Sequence, residues 1–205
     1  MTQRNVLITG SAGHLGRALR AAFEAQGDVV TGVDTHNAEF LCDLESMTPV
    51  GNIYKHFPTD KFDIVVCNAK LKSWISHNRL AGFATSSIIN IASIYGALGP
   101  DPMMYYGTEI EQTPAWYAAS KGAMIALTKH QATTLAPVRS NAIILGGIFR
   151  DHSDVFRERY EAKVPLCRMA TEQDAVDLCL FLASDKASYI TGACIPCDGG
   201  LSAMA

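Results

Sequence analysis

The stretch AWYAASKGAM, residues 115–124, sets Tyr117 four residues before Lys121 in a run of small apolar side chains. Positions i and i+4 share a face of a helix, so a phenol and an ammonium would stand side by side. That pairing has a chemical use. A free phenol has a pKa of about 10 and is a poor base at neutral pH. A cation one turn along favours the phenolate and lowers that value, which makes the phenol a serviceable acid and base. The same spacing also arises from a packed tyrosine beside a solvated lysine. What stands upstream separates the two.

Upstream lies TGSAGHLG, residues 9–16, after a strand-like run and at the start of a helical one. Gly10 permits a tight turn, Gly13 lets backbone approach a pyrophosphate, and Gly16 lets the helix pack close to the sheet. Ser11, His14 and Leu15 complete the loop and the first helical turn, whose N–H groups are the donors for phosphate. An ordinary tight turn would carry the same glycines. An acid at the end of the next strand, Asp34 in TGVDT, favours the cofactor reading. Its carboxylate accepts from the adenosine ribose hydroxyls and repels a 2′-phosphate, and no Arg or Lys follows closely, so NAD is expected over NADP. A solvated turn aspartate is the alternative for Asp34.

These groups need a frame. The chain has 205 residues, 48% hydrophobic and 18% charged, which predicts one well-packed domain spanning 1–205. A formal net charge of −3 offers no basic excess for nucleic acid or an anionic membrane. No apolar run reaches the length of a membrane span. The N-terminus enters a strand-like run without a signal-peptide pattern, and the six cysteines read as reduced thiols, so a cytoplasmic protein is expected. In CIPC, 194–197, the spacing could serve redox or metal chemistry. It lacks a second ligand pair and carries Pro196 within a strand-like stretch, so packed cysteines and no metal site are expected. Strands are predicted over 5–9, 29–33, 39–44, 62–67, 87–92, 138–145 and 193–197, and helices over 14–26, 45–57 and 171–184. A further helix is capped by Thr113, has Pro114 at its first position, and ends before Pro137. Apolar strands separated by helices predict an α/β fold with a doubly wound parallel sheet.

In this order the motifs resemble the short-chain dehydrogenase/reductase family over nearly the whole chain. CDL (42–44) resembles the family's pair beside the adenine, which implies Asp43 and Leu44. CNAK (67–70) resembles the Asn-Ala-Gly turn, with Asn68 and Ala69. INIAS (89–93) resembles the strand that ends in the catalytic serine, Ser93, and YAASK (117–121) the Tyr-x-x-x-Lys motif. SNAIILGGIF (140–149) resembles the strand and loop beside the nicotinamide, with Gly146 and Ile148, and YITGACIPCDGG (189–200) the C-terminal signature. The resemblance implies a single Rossmann-type domain that moves a hydride between NAD(H) and a secondary alcohol or ketone. Tyr117 would be the general acid and base, Ser93 would orient the substrate, and Lys121 would tune Tyr117 and hold the ribose.

The chain departs from that pattern in four places. The glycine spacing and the long Ser93-to-Tyr117 gap are similar to those of family members that act on nucleotide sugars, so the loop over 94–113, with Tyr105 and Tyr106, is a candidate contact for a polar or sugar-like substrate. Lys70 stands where a glycine is usual and Leu145 where a proline is. Only residues 68–87 join the fourth strand to the fifth, enough for one helix of about three turns but too few for the family's long helix. That helix carries a catalytic asparagine, and only Asn78 is available here. Three functions therefore stand: an NAD-dependent dehydrogenase or reductase, a nucleotide-sugar epimerase or dehydratase, and a cofactor-binding protein without catalysis. The helix that begins near residue 114 is apolar nearly all round, which predicts a homo-dimer, or a homo-tetramer if the C-terminal tail adds a second contact.

Overall fold

The computed structural model describes residues 3–41, 44, 61–70 and 75–204. Among them, β1 (Asn5–Thr9), β2 (Val29–Asp34), β3 (Phe40–Leu41), β4 (Phe62–Cys67), β5 (Ala84–Ser93), β6 (Arg139–Leu145) and β7 (Cys194–Cys197) form one sheet. Its order is β3-β2-β1-β4-β5-β6-β7 and every pairing is parallel. The helices are α1 (His14–Ala25), α2 (Ile75–Ala81), α3 (Pro102–Tyr105), α4 (Ala115–Thr134), α5 (Asp154–Glu161) and α6 (Glu172–Ala183).

Successive side chains of a strand point to opposite faces, and here both directions are apolar. Val6 and Ile8, Ile64 and Val66, and Ile89 and Ile91 pack with Leu15, Leu19, Phe23, Cys179 and Leu182. Leu7, Val65, Ile88 and Ala142 pack with Leu80, Met124 and Leu127 on the other face. Helices α1 and α6 therefore cover the first face, and α2 and α4 the second. This is the doubly wound, Rossmann-type arrangement expected. The short helices α3 and α5 form a separate lobe, with Met104, Phe156, Tyr160, Val164 and Met169 as its small core. Arg159 Nη1 donates to the Met103 and Tyr106 carbonyls, and Lys163 pairs with Asp101.

From β1 the chain proceeds outward to β2 and β3, then returns to the other side of β1 for β4 to β7. A crevice opens at the strands' carboxyl ends where the winding reverses. Gly10 turns the chain there with φ +65°, and a Cβ on it would lie 2.9 Å from Ala69 Cα. Gly16 is tighter still, since a Cβ would fall 2.0 Å from the Gly10 carbonyl oxygen.

Several expectations are corrected. The helix with Tyr117 starts at Ala115, with Pro114 rather than Thr113 at its N-cap. The Thr113 hydroxyl is held instead by Tyr105 Oη at 3.1 Å. The expected strand over 39–44 is seen at Phe40–Leu41; its continuation through 42–43 and the expected helix over 45–57 lie outside the described residues. The crossover helix α2 is described over Ile75–Ala81, and residues 71–74 before it lie outside the described residues. The packing expected of the CIPC cysteines is seen, by contrast: Cys194 packs with the α4 face and Cys197 with the α6 face, so the two thiols lie on opposite sides of β7. Helix α4 buries polar side chains as well as apolar ones. It buries Ser120, Lys121, Thr128 and Gln131 with Met124 and Leu127, while its exposed residues are Ala115, Trp116, Ala119 and Ala126 in the first part and Lys129, His130, Thr133 and Thr134 in the last turns. The buried polar groups are used: Asn90 Nδ2 donates to Thr128 Oγ1 and Gln131 Oε1, each at 2.9 Å.

Gly16→Ala is expected to lower stability by about 2–3 kcal/mol, because the obstacle to its methyl is backbone. The denaturation midpoint against wild type measures this.

Candidate active site

A cleft of about 930 Å³ lies over the carboxyl ends of the strands. Of the residues expected from sequence, it is lined by Gly10, Gly13, His14, Leu15, Asp34, Leu44, Asn68, Ala69, Ser93, Tyr117, Lys121, Gly146 and Ile148. Ser11 and Gly16 lie beneath it: Ser11 is buried, and Gly16 seats α1 on the loop. Asp43 lies outside the described residues.

At one end, α1 begins at His14 with Gly13 as N-cap, no side-chain cap and no acidic residue in its first turn. Its first N–H groups are thus left for an anion, and a Cβ on Gly13 would meet only the Gly10 carbonyl oxygen, at 3.4 Å. Asp34 Oδ2 accepts from Ala12 N at 2.9 Å and Oδ1 from Thr35 N at 2.7 Å, which fixes the carboxylate against the loop. Asn68 ties the β4 end to the same loop, donating to the Thr9 and Gly10 carbonyls at 3.1 and 3.0 Å. An uncapped helix start, a close-approach glycine and a fixed carboxylate fit a dinucleotide.

At the other end stand Ser93, Tyr117 and Lys121. Ser93 ends β5, and its Oγ accepts from Tyr95 N at 3.2 Å, which leaves the hydroxyl hydrogen free to donate. Lys121 is 6% exposed and its Nζ donates to the Ile91 carbonyl at 2.6 Å. Burial, with the nearby Lys70 charge, pulls its pKa down to about 8. The Tyr117 phenol behaves contrary to expectation. Its pKa is pushed up, because burial outweighs the Ser93 hydroxyl and the Arg150 charge, which favour the phenolate. The Lys121 ammonium is turned toward Ile91 and lies 5.7 Å from the Tyr117 ring centroid.

Asn78 does not join the group. Its Oδ1 accepts from Gln131 Nε2 at 3.4 Å, and Gln131 lies about 15 Å along α4 from Lys121 at 1.5 Å per residue. Its neighbour His77 is buried with Nε2 unpartnered, and desolvation pushes its pKa down to about 3.

The outer wall of the cleft is readable from sequence only in part. Tyr95, Tyr105, Thr113, Arg150, His152, Phe156, Tyr160 and Met169 line it; the first three come from the loop expected over 94–113, and the rest from residues beyond β6. Tyr95 Oη meets Tyr105 Oη at 2.7 Å, Gly147 N donates to Tyr160 Oη at 2.5 Å, and His152 stacks on Phe156 with centroids 5.1 Å apart. Tyr105 thus reaches the cleft, whereas Tyr106 is 72% exposed and does not line it. One signal is available for α5: Ser153 caps it, and Phe156 and Tyr160 follow at helical spacing.

Residues 82–202 match a family model described as enoyl-(acyl carrier protein) reductase. A 3-oxoacyl-[acyl-carrier-protein] reductase of Rickettsia felis is 28% identical over 248 aligned positions, covering 98% of each chain. The alignment is longer than this chain, so that protein carries segments absent here. A 4-formylbenzenesulfonate dehydrogenase of Comamonas testosteroni is 34% identical over 69% of this chain and 58% of its own. In fold, the chain is similar to a short chain dehydrogenase of Leptospira borgpetersenii solved with bound NAD+, with a TM-score of 0.87, 24% identity, and 98% and 94% of the two chains covered. No helix among the described residues is long and apolar enough to cross a membrane, and none of their His, Cys, Asp and Glu side chains form a metal-holding group.

The pH dependence of stability has a defined sign. Lys121 has a pKa of about 8 in the folded chain against an ordinary 10.5. Between those values the unfolded chain binds more protons, so this residue makes stability rise with pH. Lys121→Met removes that contribution. Urea unfolding at about pH 8 and pH 10 should show wild type gaining on the variant as pH rises.

Proposed function

The chain belongs to the short-chain dehydrogenase/reductase family, and from that premise we propose that it interconverts a secondary alcohol and a ketone with NAD(H). The observation that carries this is one cleft holding the uncapped α1 start and Asp34 at one end and Ser93, Tyr117 and Lys121 at the other. When bound, NAD(H) supplies or accepts the hydride. Gly10, Gly13, His14, Leu15, Leu44, Asn68, Ala69, Gly146 and Ile148 form its seat, with Asp43 as the expected adenine contact. Ser93 donates to the substrate oxygen. Tyr117 gives that oxygen a proton in reduction and takes it back in oxidation. Lys121 uses one of its three donors on Ile91, and the others are left to meet the ribose. The same reading puts the chain in the cytoplasm, with thiols Cys67, Cys167, Cys179, Cys194 and Cys197 free. It also makes the chain a homo-oligomer through the exposed stripe of α4 around Trp116, Ala119 and Ala126.

Tyr117→Phe should cut turnover by about 10²–10⁴-fold, the usual worth of general acid–base catalysis, while NADH still binds. Near-wild-type turnover, followed by NADH absorbance with a panel of ketones, would refute the mechanism. Asp34→Ala should raise the Kd for NADH and narrow its advantage over NADPH, because the carboxylate that repels a 2′-phosphate is gone. Fluorescence titration with both cofactors measures this, and tighter NADPH binding by wild type would reverse the cofactor assignment.

A further inference from the structure

We propose that the substrate carries an anionic oxygen group, such as a carboxylate, sulfonate or phosphate, which Lys70 and Arg150 hold beside Tyr117. This rests on the oxidoreductase reading and names the substrate class for the same site.

Lys70 follows β4, and Arg150 follows the loop after β6. Both line the cleft. Lys70 Nζ lies 5.2 Å from the Tyr117 ring centroid and 5.3 Å from that of Trp116. Among the described residues it has no ion pair, and Arg150 has only a loose one, Nε to Glu172 Oε1 at 3.5 Å. Lys121 is a third cation, already committed to Ile91. The phenol therefore sits among three basic side chains.

Little offsets them. Glu111 is the only carboxylate among the described lining residues at this end, and it is exposed. Asp34 is tied to Ala12 and Thr35 at the far end. The sequence has no Asp or Glu anywhere from Asn68 to Pro100. Lys70 and Arg150 are themselves exposed at the mouth of the cleft, and with Lys121 behind them they give this end an excess of positive charge that draws in an anion. The cofactor's pyrophosphate is the alternative source of such an anion. The free N–H groups at the start of α1 already provide for it, which leaves Lys70 and Arg150 for the substrate. The His152–Phe156 stack offers an apolar surface for the uncharged part of that molecule.

The test compares kcat/KM, with NADH, for two matched pairs of ketones: 4-acetylbenzoate with 4-acetylbenzamide, and acetoacetate with acetoacetamide. Wild type and Lys70→Gln/Arg150→Gln are both measured, with the Kd for NADH in each. Wild type should favour the carboxylate of a pair by about tenfold or more, and the double variant should bring the ratio near one with little change in the Kd for NADH. Added salt should shrink the wild-type preference, a readout independent of how the variant folds. Equal turnover of anion and amide by wild type would overturn the proposal and leave the oxidoreductase reading standing. So would a variant that keeps the preference but binds NADH far more weakly, which would assign the two cations to the pyrophosphate. Turnover of none of the four ketones would overturn both readings.

Discussion

The hydrogen bond from the Lys121 ammonium to the Ile91 carbonyl, 2.6 Å long, holds the active end of the molecule together. A buried ammonium needs an acceptor, since an unpartnered charge in the interior costs several kcal/mol. Ile91 provides one near the carboxyl end of β5, two residues before Ser93. The bond thereby locks α4 to β5 at the level of the cleft. Tyr117, one turn before Lys121, is carried into place by the same anchor. Further along α4, Asn90 grips Thr128 and Gln131, so the helix is held to this strand by polar contacts at two levels.

Those contacts explain why α4 looks unlike a surface helix. Its inward side carries polar groups that bond to the sheet, and the outward side of its first three turns carries Trp116, Ala119 and Ala126 rather than charges. A periodicity argument sees only a helix without a polar face. The structure shows polar groups turned inward beside the apolar ones, with the exposed titratable groups confined to the end of the helix at Lys129 and His130.

The chemistry is legible where it is local in sequence. The glycine turn, the Tyr117–Lys121 pair and the strand ending at Ser93 each sit within a few residues, and their spacing is what the geometry requires. The strands are legible because burial on both faces leaves nearly continuous apolar runs, as in β1 and β4. What stays hidden depends on distant partners. Thr113 reads as a cap because nothing local shows that Tyr105 takes its hydroxyl. Tyr117 reads as a phenol of lowered pKa because spacing reports neighbours, not burial or the direction an ammonium points. The outer wall comes from α3 and α5, which are separated by the whole of α4 and β6 and meet only in the folded chain.

Strand β7 has a consequence for the margin of the sheet. The carbonyls of Ala193 and Cys197 accept from Ala142 N of β6 and from Gly146 N just after it. Along a parallel strand the backbone groups of successive residues alternate in direction, so Cys194 and Pro196 direct theirs outward. Proline has no N–H. The free side of the sheet therefore lacks a donor midway along its last strand, and a foreign strand laid against it would leave one of its own carbonyls unanswered. That gap is a built-in obstacle to runaway strand addition, the hazard that open sheet edges carry.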